Sequence, residues 1–225
     1  MVKAVFIDYM GTTVDEHSPE MAEIARRICK NSSIYDPKQV QRFILDNRRR
    51  YEADSYLYTY LTQDEIVDQL ISDMEDQIGL TDEPSALYGL IQSHWVNASV
   101  FPDARTFFDR YPAPIYIITN IGLPYMEQAL RRNGLRTAGV VSADVARAYK
   151  PRREIFDEAL RFSGHTPDEV VHIGDSYDTD VVGARGAGIR PVLLLRGHTQ
   201  QHDDVDAADG LEQALELIFK NDMEG

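Results

Sequence analysis

Three aspartates, a threonine and a lysine carry the chemistry that this 225-residue sequence suggests: Asp8, Asp175, Asp180, Thr119 and Lys150. Asp8 follows Val2, Ala4, Val5, Phe6 and Ile7, an apolar run that reads as a buried strand, and it precedes a turn at Gly11. A carboxylate at the mouth of a buried strand loses hydration unless it is paired, hydrogen-bonded or metal-bound. Asp8 is therefore either a site residue or the cap of the turn that follows. Asp175 ends a second apolar run, Val170-Val171-His172-Ile173, and Asp180 lies across a short loop from it. Both can approach the tip of the first strand, and the three carboxylates would make an oxygen-rich site suited to the hard ion Mg²⁺. Asp178 shares the loop, and spacing alone does not exclude it. An ammonium at Lys150 would offset the mutual repulsion of these carboxylates and neutralise an oxygen of a bound anion. His172 reads as a packed strand residue.

A third strand, Ile115-Tyr116-Ile117-Ile118, ends at Thr119-Asn120 and is followed by Gly122 and a helix from Pro124. Ligands of open parallel sheets bind at such carboxyl ends. Thr119 contacts the ligand, caps the helix, or does both, and Asn120 either meets substrate or orients the loop. Val140-Val141-Ser142 is a short strand, and Pro191 to Leu195 is the last one. Arg196-Gly197-His198 follows at the expected rim of the site, and Leu211 to Phe219 is a closing helix.

Between the first strand and Phe101 the pattern is helical throughout. Ser18-Pro19-Glu20 starts a helix bearing Met21, Ile24, Ala25 and Ile28 on one face, and Asp36-Pro37 starts another with Val40, Phe43 and Ile44. Thr62 with Glu65 forms a capping box before the stripe Ile66, Leu70, Met74 and Ile78. A fourth helix covers Glu83 to Trp95. Four amphipathic helices inserted here predict a cap over the site, joined to the core near Val14 to His17 and Asn97 to Val100. Arg48-Arg49-Arg50 is a cationic run of which one or two members can face the cleft, since adjacent helix residues point in different directions. Arg49 is assigned to substrate on this basis, the alternative being that the whole run is a solvated surface. Tyr51, Tyr56, Tyr58 and Tyr60 either line a pocket or close a gap between helices.

The formal charge of −14 argues against a nucleic-acid backbone as partner. Cys29 is the only cysteine, so no internal disulfide is possible. No apolar run reaches the ~20 residues that span a bilayer, and the N-terminus enters a strand without a signal-peptide layout. A cytoplasmic monomer or homodimer, without membrane or nucleic-acid partner, is expected.

Asp8-Tyr9-Met10-Gly11-Thr12-Thr13 resembles the DxDGT nucleophile loop of the haloacid dehalogenase-like superfamily. Thr119, Lys150 opening KPRREIF, and the pair Asp175 and Asp180 in GDSYDTDVVGARGAG match that family's later motifs in the right order. The resemblance implies an α/β fold: a Rossmann-like three-layer core with a parallel sheet, residues 1–16 and 97–225, and an all-helical cap inserted after the first strand, residues 17–96. It also implies Asp8 as nucleophile toward phosphorus and Thr119 and Lys150 as catalytic contacts to the transferred group. Thr12, Asn120 and Arg49 would meet substrate, and Asp8, the Met10 carbonyl, Asp175 and Asp180 would hold Mg²⁺. The implied activity is hydrolysis of a small phosphorylated metabolite through an aspartyl-phosphate.

At one position the chain departs from that pattern. Superfamily phosphatases carry a second aspartate two places after the nucleophile, and here Met10 stands there; a thioether neither protonates a leaving alkoxide nor activates water. Leaving groups that depart unprotonated would then be favoured. DYMGTTVDE also resembles the DxAGTTxD loop of phosphonoacetaldehyde hydrolases, which would make the substrate a phosphonate. Those enzymes use a cap lysine as a Schiff base, for which only Lys30 and Lys38 are available. 2-Haloacid dehalogenases also lack the second aspartate but need no metal. A non-catalytic protein that binds a phosphorylated ligand is the reading from a different class.

Overall fold

The computed structural model describes residues 1–197 and 202–224; His198, expected at the site rim, lies outside the described residues. Six strands form one parallel sheet: β1 (Ala4–Ile7), β2 (Ile115–Thr119), β3 (Gly139–Ser142), β4 (Val170–Gly174), β5 (Arg190–Leu194) and β6 (Asp206–Ala208). Their spatial order is β3-β2-β1-β4-β5-β6. The order reverses between β1 and β4, so the carboxyl ends of these two strands open a crevice where such sheets bind ligands. Asp8 and Asp175 follow those ends. The expected last strand is present, shifted by one residue, but the sheet does not end with it. β6 pairs with Val192, Leu193 and Leu194 at the edge.

A parallel sheet is buried on both faces, and residue alternation divides its side chains between them. Val5, Ile7, Ile117 and Ile173 pack toward α5 (Pro102–Arg110), α6 (Leu123–Asn133) and α10 (Leu211–Glu224). Phe6, Ile118 and Val141 pack toward α8 (Arg153–Ser163) and α9 (Val182–Gly186). A short helix, α7 (Ala143–Ala146), follows β3. Three layers result.

The insertion after β1 holds α1 (Pro19–Asn31), α2 (Pro37–Asp54), α3 (Gln63–Ile78) and α4 (Pro84–Asn97). Three of the four helix starts predicted here from sequence have a side-chain cap, and the fourth, at Glu83, has none. Ser18 accepts from the Met21 amide, Asp36 accepts from the Lys38 amide with Pro37 in the first turn, and Thr62 and Glu65 form both halves of a capping box. Ile24, Ile28, Met74, Leu87 and Trp95 are buried in a cluster continuous with the sheet. Trp95 of α4 lies 4.9 Å from the Tyr125 ring of α6, which seats α4 on the core.

The two covalent connections are paired with each other. The Asp15 amide donates to Ser99 O at 2.8 Å and the Phe101 amide to Thr13 O at 3.1 Å. A third, non-covalent attachment lies between α2 and α3. Tyr56 bridges to Ala148, Arg147 donates twice to Leu57 O, and Tyr60 stacks on Tyr149 at 5.4 Å. Tyr60 therefore packs on the core, whereas Tyr58 is fully exposed. Arg147→Ala is expected to loosen this strap, read as faster hydrogen exchange at the Leu57 and Leu61 amides with little change deep in β1.

Candidate active site

Asp8 leaves β1 as a carboxylate only 7% exposed, and its amide donates to Ile173 O at 2.9 Å, which ties the strand tip to β4. The Lys150 ammonium, 4% exposed, lies 2.5 Å from Asp8 Oδ1 and 2.6 Å from Asp180 Oδ1. Asp180 sits on a single π-helical turn, Tyr177–Val181, of the kind often found at functional sites. The wider turn brings its Oδ2 to the Ser176 amide at 3.1 Å. His172 of β4 reaches the same residue: its Nε2 lies 2.9 Å from Asp180 Oδ1. Facing a carboxylate, the neutral ring must carry its proton on Nε2, and Nδ1 is left buried without a partner. His172 is thus both packed, edge-on to Phe156, and joined to the site.

Two glycines make room for the carboxylates. A Cβ on Gly174 would come within 2.2 Å of Asp180 Cγ. At Gly11 it would lie 2.5 Å from Asp175 Oδ2, and the φ of +82° there already favours glycine.

Oxygens of Asp8, Asp175 and Asp180 lie within 4.8 Å of one another. Burial, followed by the charges of Asp8 and Asp180, raises Asp175 well above the carboxylate range. Burial also pushes Asp8 up to about 7 against the pull of Lys150, and Asp180 adds to the rise. Burial would raise Asp180 too, but Lys150 and His172 outweigh it and hold that carboxyl low. Burial disfavours charge on Lys150, yet Asp180 and Asp8 more than compensate and keep it protonated. One ammonium thus serves three carboxylates, and two of them resist ionising. An all-oxygen donor set with uncompensated negative charge fits a divalent cation of the Mg²⁺ type.

The residues expected at the site divide into two groups. A cleft of about 450 Å³ between cap and sheet is lined by Asp8, Met10, Arg49, Thr119, Asn120, Lys150 and Asp175. Thr119 also accepts from the Ile121 amide at 3.2 Å, so it holds the turn while facing the cleft. Asn120 accepts from the Lys150 amide at 2.8 Å and orients the lysine loop. Arg49 lies 3.5 Å from Asp178, across the cap-to-core boundary, and Arg50 turns away to Asp73. Thr12, assigned to substrate from sequence, is instead buried and donates to Asp175 Oδ1 at 2.6 Å. Its hydroxyl holds a carboxylate because the Gly11 turn directs it toward β4. Arg196 does not line the cleft; it donates to Thr12 O and Asp103 and so clamps the first loop from behind.

Among titratable cleft residues, sequence reasoning missed three: Glu16, Glu52 and His94. Glu52 and His94 sit on polar or mixed stretches of their helices, where only the packing of cap on core sets them apart. His94 accepts or donates to Ser18 at 2.9 Å, joining α4 to the start of α1. Glu16 follows the first loop by a few residues, and that proximity was the one available signal.

The HAD-hydrolase-like family pattern matches residues 148–215, the stretch that carries Lys150, Asp175 and Asp180. Asp8 is brought to these three by the fold. Over residues 148–215 the chain is similar to the HAD-hydrolase-like family. Haloacid dehalogenase-like hydrolase domain-containing protein 3 of Danio rerio is 38% identical to this chain over 95 residues, 41% of the chain and 39% of that protein. The chain thus matches about two fifths of that relative's length. L-2-haloacid dehalogenase from Xanthobacter autotrophicus has a TM-score of 0.73 at 20% identity, covering 88% of this chain and 80% of the dehalogenase. The HAD-hydrolase YfnB from Bacillus subtilis, bound to magnesium, has a TM-score of 0.77 at 17% identity, covering 96% and 98%. At these identities the likeness is one of fold, an α/β core with an inserted helical cap. No helix among the described residues is long and apolar enough to cross a membrane.

Proposed function

We propose that the protein is a Mg²⁺-dependent hydrolase of a small phosphorylated metabolite that acts through an aspartyl-phosphate at Asp8. The observation that carries this reading is the cluster of Asp8, Asp175 and Asp180 with Lys150 bridging two of them. Asp8, the Met10 carbonyl, Asp175 and Asp180 would hold the metal. Bound there, Mg²⁺ would supply positive charge against the phosphoryl oxygens and keep the nucleophile ionised.

The protein's own groups do the rest. Asp8 Oδ attacks phosphorus while Lys150 and the Thr119 hydroxyl stabilise charge on the transferred group. Thr12 holds Asp175, and His172 with Ser176 holds Asp180. Arg49 is assigned to an anionic part of the substrate, in exchange for its long contact with Asp178. Enclosure of the cleft by α2, α3 and α4 limits access of bulk water, which strengthens the electrostatic interactions inside it.

Dehalogenation is disfavoured because a metal-free site would carry this carboxylate cluster at a desolvation cost with no return. Phosphonate cleavage by an imine is disfavoured because neither Lys30 nor Lys38 lines the cleft, and Lys150 is the only lysine there among the described residues. A binding protein without turnover would retain the metal site but release no phosphate.

Calorimetric titration of the metal-stripped protein with Mg²⁺ is expected to reveal one site, weakened at least tenfold in Asp175→Asn. Binding undiminished by that substitution would remove the metal assignment. Phosphate release from an aryl or acyl phosphate above a metal-free control separates the hydrolase from the binding protein.

A further inference from the structure

Glu52 is the only acidic side chain of α1–α4, among the described residues, that is buried. It lies near the end of α2 and lines the cleft together with Asp8, Met10, Thr119 and Lys150. A buried carboxylate ordinarily gathers short hydrogen bonds, because its desolvation is otherwise uncompensated. Here the contacts are long: Asn120 Nδ2 at 3.4 Å from Oε2, and Arg48 Nε at 3.5 Å from Oε1. Arg48 is itself about half exposed, so the pair is not a buried ion pair that explains the burial of Glu52. Asn120 links Glu52 to the reaction centre, since its Oδ1 accepts from the Lys150 amide. Burial raises the Glu52 carboxyl above its ordinary range even against Arg48, Lys150 and Arg49, which favours a form that carries a proton.

The first loop lacks an acid, because Met10 occupies the position where one would be sought, while the cap presents a buried and weakly bonded carboxyl to the same cleft. We propose that Glu52 is the general acid and base of the reaction, acting on the leaving oxygen from the cap side. The inference rests on the phosphoryl-transfer reading above. As Asp8 Oδ bonds to phosphorus, the bond from phosphorus to the leaving oxygen breaks and that oxygen takes the Glu52 proton, releasing an alcohol or phenol. The ionised Glu52 then takes a proton from a water whose oxygen bonds to phosphorus as the bond to Asp8 breaks. Phosphate leaves, and both carboxyl groups return to their starting states.

The test uses full-length protein with Mg²⁺ and three aryl phosphates of similar size but graded leaving-group basicity: p-nitrophenyl, phenyl and p-methoxyphenyl phosphate. Glu52→Gln keeps the shape and the neutral hydrogen bonds. General acid assistance is worth ~10²–10⁴ in rate, so kcat with phenyl and p-methoxyphenyl phosphate is expected to fall by about that factor. The loss with p-nitrophenyl phosphate is expected to be at least tenfold smaller, because that phenolate departs with little help. Adding Met10→Asp to Glu52→Gln is expected to recover much of the lost rate with the basic leaving groups. Equal losses across the series, without recovery, overturn the proposal and leave Glu52 a structural or substrate-orienting residue while phosphoryl transfer stands. Absence of Asp8-dependent turnover of all three substrates by wild type overturns the phosphoryl-transfer reading, and the role of Glu52 with it.

Discussion

Asp8→Asn is expected to lower kcat for any phosphorylated substrate by on the order of 10⁴ or more, since an amide oxygen is a poor nucleophile and residues acting as a unit lose most of their rate together. The loss should not be one of folding. Asp8 contributes a carboxyl that burial and Asp180 drive up to about 7, so in the metal-free protein its ionised form is disfavoured. A group whose folded pKa exceeds its unfolded value loses stability as pH rises between the two. For Asp8 that interval runs from the ordinary carboxylate range to about 7. Metal-free Asp8→Asn is therefore expected to melt no lower than metal-free wild type at pH 7.5, while losing turnover. Added Mg²⁺ should raise the melting temperature of wild type more at pH 7.5 than at pH 5, because the metal relieves repulsion that exists only when the carboxylates are ionised. A site tuned for chemistry at the expense of stability is the general expectation for such clusters. Thermal melts of both proteins with and without Mg²⁺ at the two pH values, beside steady-state kinetics, provide the check.

Lys150→Met is expected to damage stability and activity together. The ammonium is 4% exposed and touches two buried carboxylates, so its removal leaves buried negative charge without a partner. Breaking a buried pair in this way costs ~3–5 kcal/mol, and loss of one electrostatic stabiliser of a transition state costs ~10²–10³ in kcat. The sign of the pH dependence follows from the two partners. Asp180, held low by Lys150 in wild type, contributes stability above the unfolded carboxylate pKa that is lost as pH falls through its folded value. Without Lys150 that carboxyl rises instead, so the variant's stability deficit should be largest near neutrality and shrink in acid, where protonation removes the unpaired charge. Melting curves between pH 4 and 8 test this, and a deficit independent of pH would mean that packing of the lysine stem, rather than its charge, is what the site needs.

The strand-end logic was legible because it is local. An apolar run that ends in Asp8, Thr119 or Asp175 announces both a buried strand and a polar group at its mouth, and the parallel sheet brings those mouths together. The cap helices were legible for the same reason: Ser18, Asp36 and Thr62 are caps whose partners lie within a turn. What escaped the sequence depends on contacts between distant segments. β6 is a three-residue edge strand with one buried residue, Ala208, too short to show a period. His172 looked like strand packing because its carboxylate partner becomes a neighbour only when the π-helical turn folds Asp180 back over Gly174. Thr12 looked free for substrate until Asp175 arrived from a strand more than a hundred residues away. Glu52 follows Arg48-Arg49-Arg50 on a helix with a weak apolar face, and its burial arises only from the cap lying on the core.

Direct capture of the covalent intermediate tests the central claim most sharply. The protein with Mg²⁺ is mixed with a reactive acyl or aryl phosphate, quenched in acid at a series of times within the first turnover, and treated with borohydride, which reduces an acyl phosphate to an alcohol. Peptide mass spectrometry is predicted to find homoserine at position 8, formed only with substrate and Mg²⁺ and absent in Asp8→Asn. Phosphate release at full rate with Asp8 unreduced at every time would contradict an aspartyl-phosphate on this residue.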